Sequence, residues 1–238
     1  MDTTYIMGFW RIPANTKHSM THYYRFMPKT FEMLSDKQIV FFYEDDDILD
    51  YIKSIVKTPH FLAIRVPVVD LPTYPLTEAY LQSCKNQDNA ALRSIKNEKG
   101  LVHHVREYLK SGEDSYRKVI GIWTSKILLV ERIIVENPYA SSHFAWVDVS
   151  VSRINKQIVN IPINDAVIST NRSTMFYKGE QLQHSAGFMI SGKDTWLSFF
   201  PVYKAKLEAL RDSNYAHDEE TILHLIRKDH PDYFANIS

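Results

Sequence analysis

The sequence predicts an α/β fold with a central sheet, and three observations carry the prediction. Runs rich in aromatic and β-branched residues recur at strand length: Thr4–Ile12, QIVFFY at Gln38–Tyr43, FLAIRVPVV at Phe61–Val69, and the HFAW that opens His143–Arg153. Segments with helical spacing fall between them, one with apolar residues at 123, 127, 130 and 134 and a stop at Asn137-Pro138. With 238 residues and 45% hydrophobic content, the chain can bury a substantial core as one domain or two closely packed lobes.

The stretch His143–Arg153, HFAWVDVSVSR, organises the rest. Phe144, Trp146 and Val147 suit a buried central strand, which then meets one carboxylate, Asp148, followed by Val149 and Ser150. An acid at the end of an apolar strand is costly to bury unless a cation, a metal or hydrogen bonds meet it. Ligands of open α/β sheets bind at the carboxyl ends of strands. Asp148 is therefore the first functional candidate, with turn capping as its plain alternative.

In chain order, the Thr4–Ile12 strand leads into a loop through Pro13, Asn15 and Thr16. His18, His22, Tyr23, Tyr24 and Arg25 follow on a helix, where they either pack as an amphipathic face or stack on a base and face a phosphate. After the second strand, Asp45, Asp46 and Asp47 sit where a helix N-cap and first turn favour acids, while Glu44 is placed to bond a base or ribose. The FLAIRVPVV strand ends at Asp70, Pro72 and Pro75. Residues 77–116 read as mainly helical and polar, an insertion over one side of the sheet with a weak break at Asn97–Gly100. Within it, the adjacent His103 and His104 point in different directions on a helix and make a poor metal pair.

Lys126 falls near the first turn of the 123–135 helix, either facing a phosphate or standing as an ordinary exposed lysine. Gln157–Ile163 and Ala166–Ser169 read as short strands and Tyr177–Gly179 as a turn. The stretch 183–192 reads as a small-residue turn entering an apolar strand, where His184, Ser185, Ala186 and Gly187 let a ligand approach the backbone. Trp196, Phe199, Phe200, Tyr203, Leu207 and Leu210 line a helix face as core, with Pro201 kinking or restarting the helix. His217, Asp218, Glu219 and Glu220 open a last helix; capping explains part of this, but three acids and a histidine exceed what a cap requires.

Lys+Arg and Asp+Glu both total 28, so no global field attracts nucleic acid or an anionic membrane. A single cysteine, Cys84, excludes an internal disulfide and argues for a reducing compartment or for indifference to redox; a cytoplasmic location is expected. The N-terminal MDTTYIMGFWRIP reads as a first strand and not a signal peptide. No run approaches the roughly 18 apolar residues of a membrane-spanning helix. The 7 glycines and the lack of an internal repeat exclude solenoid and low-complexity architectures.

Four segments, in this order, carry a family resemblance. WTSKILLVERIIVENPYASSHFAWVDVS looks like the helix and metal-binding strand of GT-A glycosyltransferases, whose strand ends in Asp-X-Asp. HSAGFMISGKDTWLSFF is similar to their small-residue segment leading into a strand and a Trp-bearing helix, and HDEETILHLI to the acidic helix start that follows. Together with the aromatic first strand, the set most resembles the HtrL/YibB-like family of bacterial glycosyltransferases.

The resemblance implies a Rossmann-like GT-A domain over residues 1–238, with a mixed, mainly parallel sheet flanked by helices. Its nucleotide-binding half would cover about 1–150 and its acceptor-side half about 151–238. The implied activity is hexosyl or pentosyl transfer from a nucleotide-sugar donor to a glycan or lipid-linked acceptor, with peripheral membrane contact at most. Asp148 would hold Mn²⁺ or Mg²⁺ or the donor ribose, with Ser150 as a secondary contact. Phe9, Trp10 and Glu44 would border the nucleotide and Lys126 the phosphates. His184, Ser185, Ala186 and Gly187 would border the sugar and acceptor. Asp218 or Glu219 would be the base or the carboxylate stabilising the cationic sugar, and His217 a metal ligand.

Two departures stand out. Ser150 replaces the second acid of Asp-X-Asp, and a hydroxyl is a poor primary ligand for Mn²⁺ or Mg²⁺. His184 replaces an Asn before Ser-Ala-Gly. A nucleotide-sugar or glycan-binding protein that kept the fold without transfer is the alternative these departures raise. A nucleotidyltransferase would need a glycine-rich loop after the first strand, where only Gly8 is found.

Overall fold

A computed structural model describes residues 2–15, 17–86, 104–154, 158–160, 166–172, 184–211 and 218–237. Among them, β1 (Thr3–Phe9), β2 (Gln38–Tyr43), β3 (Phe61–Arg65), β4 (His143–Val147), β5 (Ile168–Arg172), β6 (His184–Gly192) and β7 (Phe234–Asn236) form one sheet in the order β3-β2-β1-β4-β6-β5-β7. The pairs β3-β2, β2-β1, β1-β4 and β5-β7 are parallel, whereas β6 runs antiparallel to both β4 and β5. This is the mixed, mainly parallel sheet expected of the α/β class.

Strand alternation divides the core into two layers. On one face Tyr5, Met7, Ile39, Phe41, Ala145 and Val147 pack against α1 (Met20–Met33) and α2 (Asp46–Ile55) through Met27, Phe31, Ile48 and Ile52. A short helix, α3 (Thr77–Asn86), sets Tyr80 and Leu81 against Tyr116 and Ile120 of α4 (Gly112–Glu136). The opposite sheet face presents Ile6, Val40, Phe42, Phe144 and Trp146 to α4, α5 (Lys193–Arg211) and α6 (Glu219–Asp229). The stripe Trp196, Phe199, Phe200, Tyr203 and Leu207 is buried as expected, and α5 runs through Pro201 without a break. Trp196 Nε1 donates to Phe144 O at 2.9 Å, pinning α5 to β4.

β4 is buried at every residue and lies fourth in the sheet, between β1 and β6. The helix before it ends as the sequence predicts. Asn137 adopts a left-handed φ of 38°, and its side-chain amide donates to Ser141 O while its side-chain oxygen accepts from Ser141 N.

Several local expectations are corrected. β1 stops at Phe9, not Ile12. FLAIRVPVV pairs only through Arg65; Pro67 cannot donate to a ladder, and Val68–Asp70 turn as a 3₁₀ helix. The helix expected at 123–135 begins at Gly112, so Lys126 lies in its middle and not its first turn. Within the expected strand 157–163, Ile158–Asn160 form a 3₁₀ turn. The expected small-residue turn is strand from His184 onward. Asp45 holds the N-cap position of α2 but makes no cap bond from its side chain; Arg11 instead binds Asp47 at 2.8 and 3.0 Å and approaches Asp45 at 3.6 Å. The Asn97–Gly100 break, His103, Tyr177–Gly179 and His217 lie outside the described residues. Among the described residues, no helix is long and apolar enough to cross a membrane.

Candidate functional site

Phe144 and Trp146 point from β4 toward α4, and Asp148, two residues further, stays on that side just past the strand's carboxyl end. Trp146 Nε1 donates to Asp148 Oδ1 at 2.8 Å. Lys126 reaches the same oxygen from the middle of α4, with Nζ at 2.9 Å, and lies 2.7 Å from Glu219 Oε1 in the first turn of α6. Three elements distant in sequence thus meet on one ammonium. Lys126 is only 6% exposed, which rules out the ordinary solvent-facing lysine. Its nitrogen also stands 5.9 Å from the Trp146 ring centroid.

The electrostatics follow from one cation serving two acids. Burial works against the charge on Lys126, but Asp148 and Glu219 outweigh it and raise its pKa, so it stays an ammonium. Burial likewise pushes Asp148 up, yet Lys126 and the Trp146 hydrogen bond hold it below the ordinary 3.8. Glu219 ends on the other side: burial raises it above 4.5, Lys126 offsets only part of this, and neighbouring Asp218 and Glu220 add to the rise.

The remaining acids of the HDEE run separate by role. Asp218 is the α6 N-cap, accepting from Thr221 N at 2.8 Å. Glu220 accepts from Ala186 N at 3.3 Å, tying α6 to β6. Next to Asp148, whose backbone N–H donates to Gly187 O at 2.8 Å, a Cβ on Gly187 would stand 3.6 Å from Asp148 Oδ2 and 3.3 Å from Ser185 Oγ. The small residues 185–187 therefore border the carboxylate directly, as strand and not as turn. His184 opens β6.

The donor-side candidates spread further. Phe9 is buried with its ring edge-on to Tyr23 at 4.8 Å. Tyr23 in turn senses Asp148, and burial first and that charge second push its phenol up to about 12. Trp10 packs in the α4-side core, its indole N–H donating to Val66 O at 2.8 Å, and its ring fills the space a Cβ on Gly8 would take at 2.5 Å. Gly8 thus serves packing. Glu44 is half-buried beyond β2, within electrostatic reach of Lys118 on α4. Ser150 is buried at the start of the 3₁₀ turn Val151–Arg153.

Sequence reasoning did not single out Lys17, Arg106 or Arg153 as parts of this site. Arg153 follows Asp148 by five residues and acts on it electrostatically. Lys17 rests 4.5 Å from the centroid of Trp123, one helical turn before Lys126. Arg106 binds the fully buried Glu107, which also accepts from Asn15 Nδ2 at 3.2 Å. A helix register that puts Trp123 and Lys126 on one face was the only available hint for Lys17.

Among the described residues, which do not include His217, the donor set does not fit a divalent ion. Asp148 Oδ1 already accepts from an ammonium and an indole, the residue two positions on is a serine, and among the described residues no group of three His, Cys, Asp or Glu side chains could hold a metal.

No family model and no curated protein sequence matches the chain. Among solved structures, the chain is similar to core-mannan synthase A (CmsA/Ktr4) from Aspergillus fumigatus in its Mn/GDP form, with TM-score 0.54 and 9% identity over 99% of this chain and 72% of that one. It also aligns with the apo form of the glycosyltransferase GlyE from Streptococcus pneumoniae TIGR4, with TM-score 0.45 and 10% identity. The chain spans 45% of the length of GlyE. At these identities the likeness is one of fold.

Proposed function

We propose that the chain is a glycosyltransferase that moves a sugar from a nucleotide-sugar donor to a glycan or lipid-linked acceptor. The observation that carries the reading is the Lys126 ammonium, buried between Asp148 and Glu219 at the carboxyl end of the central parallel strand. In an α/β sheet that edge is where ligands bind. The fold shared with core-mannan synthase A, a structure in a Mn/GDP form, supports a nucleotide diphosphate as the ligand class. The motif order resembling the HtrL/YibB-like family points the same way.

In the proposed reaction the bond from the anomeric carbon to the diphosphate oxygen breaks and the electron pair leaves with the phosphate. A bond forms from the acceptor hydroxyl oxygen to that carbon, and the hydroxyl proton passes to Glu219. A base works best with a pKa near the operating pH, and burial has moved Glu219 in that direction. Asp148, fixed by Lys126 and Trp146, faces the donor, and Gly187 beside it leaves room for the transferred sugar. Asp218 positions Glu219 by capping α6. Phe9 borders the nucleotide side through Tyr23.

The test compares two variants in a transfer assay with the nucleotide sugar whose diphosphate the protein binds. Glu219→Gln is expected to lose about 10²- to 10⁴-fold in kcat, the usual contribution of a positioned base. Asp218→Asn keeps a good cap and is expected to stay within about tenfold. Equal turnover by both variants would remove Glu219 from the role. The pH profile gives a second readout: activity should rise with pH through a midpoint above the ordinary 4.5, and that limb should vanish in Glu219→Gln.

A further inference from the structure

Transfer from a nucleotide diphosphate sugar leaves negative charge on the departing phosphates, and something positive must meet it. Lys126 is already bound to two carboxylates, and among the described residues the donor set does not fit a divalent ion. Two other cations stand beside the centre with their charge uncommitted: among the described residues neither Lys17 nor Arg153 has a carboxylate within ion-pair distance.

Their positions are built. The backbone N–H of Lys17 donates to Asn15 Oδ1 at 2.7 Å, and Asn15 Nδ2 is anchored on buried Glu107. That loop carries the ammonium over Trp123, within reach of the charges on Glu219, Glu220 and Asp218. Burial of the ammonium lowers its pKa, and Arg106 nearby adds to the effect. Arg153 ends the turn that follows Asp148. Its neighbour Ser152 fastens that turn to α1: its N–H donates to Thr30 Oγ1 at 3.2 Å and its hydroxyl to Phe26 O at 2.9 Å. His18 lies within electrostatic reach of both Lys17 and Arg153. Both residues are exposed, so an incoming phosphate can reach either cation and form charge-assisted hydrogen bonds with it.

We propose that Lys17 and Arg153 grip the donor diphosphate and do the work a divalent ion would do, so that nucleotide binding at this site is metal-independent. The inference rests on the glycosyltransferase reading above and deepens it by naming the phosphate contacts.

The experiment is calorimetric titration of UDP, GDP, CDP and dTDP into the full chain, once in EDTA and once in MnCl₂. Wild type, Lys17→Ala, Arg153→Ala and Lys17→Arg are compared, with thermal melts confirming that each folds. One nucleotide is expected to bind in EDTA as well as in MnCl₂, weakened about 10- to 100-fold by each alanine, the range for a hydrogen bond to a charged group. Lys17→Arg keeps the charge and should retain most of the affinity. Binding that appears only with Mn²⁺, or that ignores both alanine variants, would overturn the proposal and leave the donor site standing. Absence of binding by all four nucleotides in both buffers would overturn the proposal and the transferase reading together.

Discussion

One ammonium shared by two acids sets how the centre titrates. Asp148, with the added Trp146 bond, is held below 3.8, so its contribution to stability is present above that value and lost as pH falls through its depressed pKa. Glu219 behaves in the opposite sense. Its pKa is raised above 4.5, so just above 4.5 the folded chain holds a proton that the unfolded chain has released. Stability therefore falls as pH rises through that window, and Glu219→Gln should flatten the fall. Lys126→Met strips the ammonium that bridges buried Glu219 and half-buried Asp148 and is expected to destabilise by up to about 3 kcal/mol in denaturant unfolding. Adding Glu219→Gln to Lys126→Met should recover part of that loss, because the two residues touch. Additive losses would mean that the ion group does not act as a unit.

At this scale the sequence was most informative for Asp148, because a lone acid closing an apolar strand has few inexpensive explanations. It was least informative for Lys17 and Arg153, whose meaning depends on a loop and a turn folding back across the sheet edge. The HDEE run was readable as chemistry plus capping, but not as which acid did which; only the register of α6 assigns the cap to Asp218 and the Lys126 contact to Glu219.

At the scale of elements, β1 and β2 are held by dense packing that glycine makes feasible. Gly8 gives up its side chain to the Trp10 ring, which is buried and fixed by its bond to Val66 O. Gly8→Ala should therefore destabilise by about 1–3 kcal/mol, as overpacking usually does. An unchanged denaturation midpoint would show that Trp10 can move freely, against this packing. Element boundaries reveal why the sequence misled. The true start of α4 was hidden because Gly121 interrupts its apolar periodicity and charged residues crowd Gly112–Lys118. Pro67 sits inside a run that otherwise reads as strand, and its missing N–H ends the ladder there. β7 has three residues and gains its place only by pairing with β5, so no local signal announces it.

At the scale of the molecule, the parallel half β3-β2-β1-β4 was legible from alternating strand and helix patterns, and the antiparallel half was not. β6 reverses beside β4, and that reversal brings Ser185–Gly187 against Asp148 while α6 delivers Glu219 from the far end of the sequence. The site is therefore a product of topology: α4, β4, β6 and α6 each supply one side of it. This junction is where we propose that the nucleotide sugar binds. The most direct test is binding of the nucleoside diphosphates UDP, GDP, CDP and dTDP to wild type and to Asp148→Ala, each shown to be folded. One of the four is expected to bind wild type and to be lost or weakened at least about tenfold in Asp148→Ala. Binding of none, or binding that Asp148→Ala leaves unchanged, would contradict it.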